Sequence, residues 1–285
     1  MRAVKTLFLL TALTLLLVLG GDAIAGQQGM TFGLIVAVAM NGFAYFFSDK
    51  IALMSSGAQP VSREQLPRLY EVMERLVAKA RLPMPKLYVI PQPAPNAFAT
   101  GRNPSHASVA VTAGLMELMT DDELEGVIAH ELSHVRNYDI LITSVAATLA
   151  GAITWIASMG RWAMIFGGFG GSRDNDRGGG GLAALLMLFV APVAALLIQL
   201  GISRQREFAA DASGAKMVGH PYGLISALEK LGAYNKRIPM DVSPTTASLF
   251  IVAPLTAGEV YSKLFSTHPP LTERIAVLRN MTIAR

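Results

Sequence analysis

TDDELEGVIAHELSHV, residues 120–135, is the stretch that decides the fold around a candidate site. It predicts a single amphipathic helix, because Thr120 followed three residues later by Glu123 has the pattern of a capping box. The acidic residues of the first turn would complement the positive end of the helix dipole. The apolar residues recur at helical spacing and predict a stripe that is buried in a core: Leu124, Val127, Ile128 and Val135.

His130, Glu131 and His134 form an H-E-x-x-H motif within this helix. Helical spacing puts residues i and i+4 on one face, so the two imidazoles point the same way. Neutral imidazole is a common zinc ligand, and a catalytic zinc keeps one coordination position for water. Glu131 is then placed to take a proton from that water, whose pKa zinc lowers towards about 7. The alternative to a zinc site is a chance pair of surface histidines on a helix. The helix signals and a candidate third ligand argue against that alternative.

A zinc site needs a third protein ligand, and the chain has no cysteine to supply it. The strongest candidates are Glu207 and Asp211, which lie four residues apart on a predicted helix and therefore share one face. The spacing permits either carboxylate as the ligand, although the longer Glu side chain reaches further from its helix. Two solvated surface acids are the alternative interpretation. The remaining histidines are further candidates: His106, His220 and His268.

The composition excludes an ordinary soluble domain. Hydrophobic residues make up 52% of the 285 residues and charged residues only 15%, against about 45–50% and about 25% in globular proteins. A disordered chain would need low hydrophobicity and a high net charge. The net charge is +4 with no clustered basic run, so we expect no nucleic-acid partner.

Four uncharged apolar stretches predict four transmembrane helices in two hairpins, since a bilayer core needs about 20 apolar residues per helix. They cover residues 6–21, 30–47, 140–160 and 182–202. Buried helices of a soluble core, and a cleaved signal peptide at the first stretch, are the alternatives. The chain then divides into an N-terminal hairpin, a catalytic region with the H-E-x-x-H helix, a second hairpin and a helical C-terminal part of the catalytic domain: residues 1–48, 49–139, 140–203 and 204–285.

The basic residues that flank the apolar stretches predict that both termini and both polar regions lie in the cytoplasm. An even number of crossings between His134 and Glu207 is also what a shared site requires. The loop between the third and fourth stretches disagrees with this orientation, because it carries three arginines: Arg161, Arg173 and Arg177. Its glycine-rich part, residues 167–181, predicts a flexible linker.

Local patterns predict the remaining elements. Ser62 and Gln65 have the capping-box pattern of a helix that carries apolar residues from Leu66 to Val77 and ends before Pro83. Alternating residues predict strands at 86–90 and 107–112, with residues 96–101 between them. Helical patterns cover residues 208–218, 222–234 and 271–278.

Four blocks of sequence, in this order, resemble the HtpX family: NAFATG at 96–101, HELSH at 130–134, SRQREFAAD at 203–211 and STHPP at 266–270. The resemblance covers nearly the whole chain. It implies a bacterial inner-membrane, multi-pass zinc metalloprotease related to the CaaX prenyl endopeptidases. The implied fold is mostly α, with four transmembrane helices and a gluzincin-like α+β domain that contains a small sheet. It also implies one zinc ion per chain, held by His130, His134 and Glu207, with Glu131 as the catalytic base.

The implied task is cleavage of misfolded or damaged membrane proteins during envelope stress, so the expected partners are unfolded polypeptides and the lipid bilayer. A catalytically inactive membrane scaffold or holdase with the same fold is the alternative, against which the intact motif argues. A transporter is a weaker alternative, since no charge lies inside any apolar stretch.

Three further residues have open roles at the sequence level. His268 either donates a hydrogen bond to the oxyanion of the reaction or is a surface residue. Asn96 lies either in an edge strand that binds an extended substrate or in a turn. Asp211, if it is not the ligand, accepts the ring N–H of a ligand histidine.

Overall fold

The computed structural model describes residues 2–151, 204–235, 249–252 and 269–282. Several predicted features lie outside the described residues. These are the end of the third apolar stretch, the fourth apolar stretch, the glycine-rich loop with its arginines, and His268.

The N-terminal apolar residues form a helical hairpin, as the sequence predicts. Helix α1 (Arg2–Ser55) is interrupted at Ala25 and Gly26, whose backbone angles are not helical. The two arms of α1 pack side by side in antiparallel directions. A hydrogen bond from the Asn41 side chain in the second arm to the Leu10 carbonyl in the first joins them. The second arm continues as one helix beyond the predicted end of its apolar stretch.

A four-stranded mixed sheet follows α1, in the strand order β1-β2-β4-β3. Its strands are β1 (Gln59–Pro60), β2 (Lys86–Ile90), β3 (Ala97–Gly101) and β4 (Ala107–Thr112). Strands β2 and β4 are parallel, whereas β1 pairs antiparallel with β2 and β3 pairs antiparallel with β4. The predicted strands at 86–90 and 107–112 are confirmed, and β3 forms one edge of the sheet.

The described residues form seven further α-helices: α2 (Pro67–Ala80), α3 (Ala113–Leu118), α4 (Asp121–Arg136), α5 (described over Asp139–Gly151), α6 (Arg204–Val218), α7 (Tyr222–Asn235) and α8 (Leu271–Arg279). The three predicted C-terminal helices are confirmed, and α6 is already helical at Arg204, four residues before its predicted beginning. Helix α4 lies at the centre of the largest core and packs against α2, α6, α7 and β3. The opposite face of the sheet packs on the end of α1, through Ile90 and Phe98.

The apolar helices pack together beside this domain. Helix α5 contacts both arms of α1 through a small cluster of buried residues: Leu13, Ala44, Val145, Ala146, Leu149 and Ala150. Among the described residues, the segment Ala25–Ser55 is long and apolar enough to cross a membrane, and two shorter apolar segments cover Leu10–Asp22 and Asp139–Gly151. The four predicted transmembrane helices are thus seen only in part.

Helix α2 begins later than the sequence predicts. Its N-cap is Leu66, and Pro67 occupies the first turn, where a missing N–H and a fixed φ are tolerated. The Gln65 side chain accepts a hydrogen bond from the Ser62 backbone N–H at 2.8 Å. The predicted capping contact is therefore present, but it closes a turn that precedes the helix.

The N-terminus of α4 has the predicted capping box, with both reciprocal Thr120 and Glu123 hydrogen bonds present. The buried Glu123 carboxylate also accepts from Lys230 Nζ at 2.7 Å and from Ser226. Burial would raise the pKa of Glu123, but these hydrogen bonds and those from Thr120 hold it at about 2. Glu123 thus ties the start of α4 to α7.

We expect Glu123→Gln to lower the free energy of unfolding by about 1–3 kcal/mol at neutral pH, the usual cost of losing hydrogen bonds to a charged group. The pKa of folded Glu123, about 2, lies below its ordinary 4.5, so its contribution is complete above pH 4.5 and disappears as the pH falls towards 2. Thermal unfolding of both proteins in detergent across this range measures the difference. A gap between the two proteins that stays constant down to pH 2 would contradict the assignment.

Candidate metal centre

Three predicted ligand side chains meet between α4 and α6. The Nε2 atoms of His130 and His134 lie 3.2 Å apart. Glu207 Oε2 lies 3.7 Å from His130 Nε2, and Glu207 Oε1 lies 3.5 Å from His134 Nε2. Ligand atoms held 2.0–2.2 Å from a tetrahedral zinc ion are about 3.3–3.6 Å apart. The spacing and the donor set, two imidazole nitrogens and a carboxylate, therefore fit one zinc ion.

Asp211 lies on the other side of the His130 ring. Its Oδ1 is 2.8 Å from His130 Nδ1, so it accepts the ring N–H and leaves Nε2 as the metal-binding atom. The Arg274 guanidinium donates to both Asp211 oxygens, at 2.7 and 2.8 Å. Burial raises the pKa of Asp211, but the charge and hydrogen bonds of Arg274 outweigh it and lower that pKa. The geometry thus separates the two carboxylates that the sequence left as alternatives.

His134 has its own carboxylate partner. Asp139 Oδ2 lies 3.3 Å from His134 Nδ1, at the long end for a hydrogen bond. Burial would lower the pKa of His134, but the hydrogen bond to Asp139 and the charges of Glu207 and Glu131 raise it to about 9. The site therefore attracts positive charge.

Glu131 lies beside the ligand histidines and is almost fully buried, with 2% of its surface exposed. Burial raises the pKa of its carboxyl, although the two histidines act in the opposite direction. The Ala99 backbone N–H in β3 donates a hydrogen bond to this carboxylate. A carboxyl group with a raised pKa beside a metal site is suited to accept and return a proton.

Sequence reasoning missed Arg274 and Asp139. Arg274 is fully buried in α8 and also donates to the Ile251 carbonyl at 2.8 Å. A signal for it exists, because Arg274 falls at helical spacing with Leu271 and Leu278 on the apolar face of its predicted helix. The sequence pattern gave no comparable signal for Asp139. Its contact with His134 depends on a backbone turn between the two residues, which helical spacing does not predict.

Asn96 is buried against residues 249–252. It is fully buried, and its side chain donates to the Val252 carbonyl at 2.8 Å and accepts from the Val252 N–H at 3.4 Å. Asn96 thus holds residues 249–252 against the start of β3. The prediction that Asn96 itself lies in an edge strand is wrong by one residue, because β3 begins at Ala97.

The two other described histidines lie outside the ligand cluster. His106 is exposed and hydrogen-bonds with Asn103 at 2.8 Å. His220 stacks against Tyr222. Among the described residues, the cluster that fits a metal ion consists of His130, His134 and Glu207.

The close approach of α6 and α4 depends on Gly214. A Cβ added at Gly214 would lie 2.9 Å from the His130 backbone nitrogen. We expect Gly214→Ala to push α6 away from α4, which weakens zinc binding and costs about 1–3 kcal/mol of stability. Chelator competition for zinc and thermal unfolding measure the two effects. Gly42→Ala is the control, since a Cβ there meets nothing within 4 Å, and equal effects of both substitutions would contradict the packing argument.

Comparisons with known proteins agree with this geometry. Residues 63–282 match the model of peptidase family M48. The chain is 57% identical to a protease HtpX homolog from Desulfatibacillum aliphaticivorans, over 96% of this chain and 88% of that protein. It is 50% identical to a protease HtpX homolog from Pelotomaculum thermopropionicum, over 99% of this chain and all of that protein.

A solved structure has the same fold. The crystal structure of S. mikatae Ste24p matches with a TM-score of 0.54 at 21% identity, and the match covers 97% of this chain and 65% of that chain. The family model, the long matches and the metal-binding geometry all point to the same enzyme class. The chain therefore belongs to the HtpX proteases of peptidase family M48, which are zinc metalloproteases.

Proposed function

We propose that the protein is an integral membrane zinc endopeptidase of the bacterial inner membrane that hydrolyses misfolded or damaged membrane proteins. The observation that carries the proposal is the triangle of ligand atoms from His130, His134 and Glu207, with Glu131 beside it on the same helix. These three residues would hold one zinc ion. When bound, zinc would polarise the peptide carbonyl and lower the pKa of a water molecule.

Glu131 is the proposed general base. Its carboxylate takes a proton from the attacking water and gives a proton to the nitrogen of the departing amine. The raised pKa of the buried carboxyl makes the carboxylate a stronger base and so favours the first transfer. Asp211 and Arg274 keep the His130 ring oriented during both transfers.

The outer edge of β3, beyond the contact of Ala97 with Ile251, is the proposed substrate-binding site. In an antiparallel pair, alternate residues direct both N–H and C=O to the same side. Ala97 and Ala99 face the outer edge, because the Ala97 carbonyl accepts from Ile251 at 2.9 Å and the Ala99 N–H donates to Glu131. An extended peptide would donate a backbone hydrogen bond to the Ala99 carbonyl at this edge, since the Ala99 N–H already bonds to Glu131. Extended segments are more available in unfolded chains than in folded ones, which supports a preference for unfolded substrates.

The membrane assignment is supported by the apolar helices. Large apolar side chains remain exposed along both arms of α1, where lipid would cover them: Leu7, Leu15, Leu19, Phe32, Ile35, Val38 and Phe46 among others. We propose that residues 140–160 and 182–202 form the second transmembrane hairpin. Both polar regions then lie on one side of the membrane, as the contact between His134 and Glu207 requires, and the flanking basic residues favour the cytoplasmic side.

This topology predicts cytoplasmic labelling at positions 102 and 236 and labelling from the opposite side at position 176. The chain has no cysteine, so Arg102→Cys, Lys236→Cys and Asp176→Cys each introduce a single site. A membrane-impermeant thiol reagent applied to spheroplasts and to inverted vesicles reports the side. Labelling of positions 102 and 236 from opposite sides would contradict the model, because Glu207 could not reach the histidines.

The proposed activity is tested with the full-length protein in detergent or in lipid nanodiscs. We expect about one zinc per chain by metal analysis, and cleavage of an unfolded polypeptide that stops on chelation and returns with added zinc. Bound zinc with no cleavage of unfolded soluble or membrane substrates would favour the inactive scaffold instead. A preparation that cannot bind zinc would contradict the metal site itself.

A further inference from the structure

The carboxylate of Asp139 is buried at the point where the catalytic domain meets the apolar helices. Its side chain is 4% exposed, and its Oδ2 lies 3.3 Å from His134 Nδ1. A buried carboxylate needs a hydrogen-bonding partner, and in the described part of the chain that partner is the His134 ring. Asp139 is also the first residue of the apolar helix α5.

The contact requires a turn in the backbone. In one continuous helix, a residue five positions on is rotated by about 140° from the first, so Asp139 would point away from His134. Helix α4 instead ends at Arg136, and Tyr138 takes a left-handed conformation with φ +57°. This conformation is uncommon for a residue other than glycine and persists where the surroundings require it. The Tyr138 side chain is half exposed, so burial of that side chain does not explain the turn. The turn does bring the Asp139 side chain back to His134.

The same helix also holds the substrate-binding strand. The hydroxyl groups of Ser144 in α5 and Thr100 in β3 lie 2.7 Å apart, and both residues are fully buried. Thr100 directly follows Ala99, whose N–H reaches Glu131. Helix α5 therefore contacts the site at two places, one at a metal ligand and one at the strand.

We propose that Asp139 is a positioning residue for His134, and that α5 supports both the metal ligand and strand β3 from the membrane side. The proposal rests on the proposed function, which makes His134 a zinc ligand. Asp139 fixes the ring orientation and the tautomer of His134, as Asp211 does for His130. Because α5 packs against both arms of α1, the arrangement of the apolar helices then sets how firmly the site holds zinc.

The test of Asp139 uses full-length protein in nanodiscs and measures zinc release to a chelator, together with the absorption spectrum of the cobalt-substituted protein. We expect Asp139→Ala to lose zinc about 10–100-fold more readily and to alter the cobalt spectrum. Asp139→Asn keeps an acceptor oxygen and should restore much of both. Asp122→Ala is the matched control, since Asp122 is an exposed aspartate in the first turn of α4.

The outcomes separate this inference from the proposed function. If His134→Ala keeps wild-type zinc binding, the proposed metal site is wrong. If His134→Ala loses zinc while Asp139→Ala matches wild type in zinc release and cobalt spectrum, the metal site stands and the inference about Asp139 is wrong. Lower thermal stability of metal-free Asp139→Ala with an unchanged cobalt spectrum would assign Asp139 to folding alone and would also overturn the inference.

The second contact has its own test. Ser144→Ala removes the partner of the Thr100 hydroxyl, and we expect KM for an unfolded substrate to rise about fivefold, the effect of one hydrogen bond, with little change in kcat. Zinc release should match wild type, because Asp139 is intact. An unchanged KM would show that α5 does not support β3 in substrate binding.

Discussion

Glu131→Gln is expected to keep zinc and the fold while losing proteolysis by about 10²–10⁴-fold, the usual contribution of general acid–base catalysis. The Glu131 carboxyl is buried beside the ligand histidines, and Gln has the same shape but cannot accept a proton. The Ala99 N–H can still donate to the Gln side-chain oxygen, so the local structure has no reason to change. Cleavage of an unfolded polypeptide, with metal analysis of the same preparation, measures both properties.

Glu125→Gln is the matched control for this substitution. Glu125 lies on the same helix and pairs with Lys79 at 3.5 Å, away from the metal ligands. It should leave both zinc content and cleavage near wild type. If Glu131→Gln cleaved as fast as the control, Glu131 would have no part in the mechanism.

Glu207→Ala is expected to purify without stoichiometric zinc and to be inactive, because two histidines alone hold a catalytic zinc poorly. Removal of Asp211 should have a smaller effect on the metal, of about 10–100-fold in affinity or activity. Asp211→Ala also leaves the buried Arg274 without its main partner, which costs about 3–5 kcal/mol of stability. Asp211→Asn keeps an acceptor for Arg274 and separates loss of zinc from loss of folding.

Metal analysis after mild chelation distinguishes the two carboxylates. Glu207→Ala should contain little zinc, whereas Asp211→Asn should retain part of it with reduced activity. Loss of metal from Asp211→Asn together with full retention in Glu207→Ala would reverse the assignment. Thermal unfolding of the metal-free proteins shows whether each variant has folded.

The parts of the site that depend on local sequence could be predicted. The capping box at Thr120 and the spacing of His130 and His134 are properties of one helix, and both occur as expected. The helix of Glu207 and Asp211 was also predicted, but spacing alone could not choose between them. The choice depends on how α6 crosses α4, which a close contact at Gly214 sets.

The parts that depend on distant contacts could not be predicted. Arg274 reaches Asp211 from a helix more than sixty residues further along the chain, and Asn96 binds Val252 from even further away. The late start of α2 has a different cause, because Pro67 favours the first helical turn and competes with the capping pattern of Ser62.

The division of the metal site between α4 and α6 also affects how the protein matures. More than seventy residues separate His134 from Glu207, and they include the proposed second membrane hairpin. A growing chain therefore exposes the two histidines long before the third ligand leaves the ribosome. Under the proposed topology, the complete zinc site would form only when both halves lie on the same side of the bilayer. Correct insertion would then precede activity, and a chain inserted with the wrong topology would lack a complete site with which to cleave its neighbours.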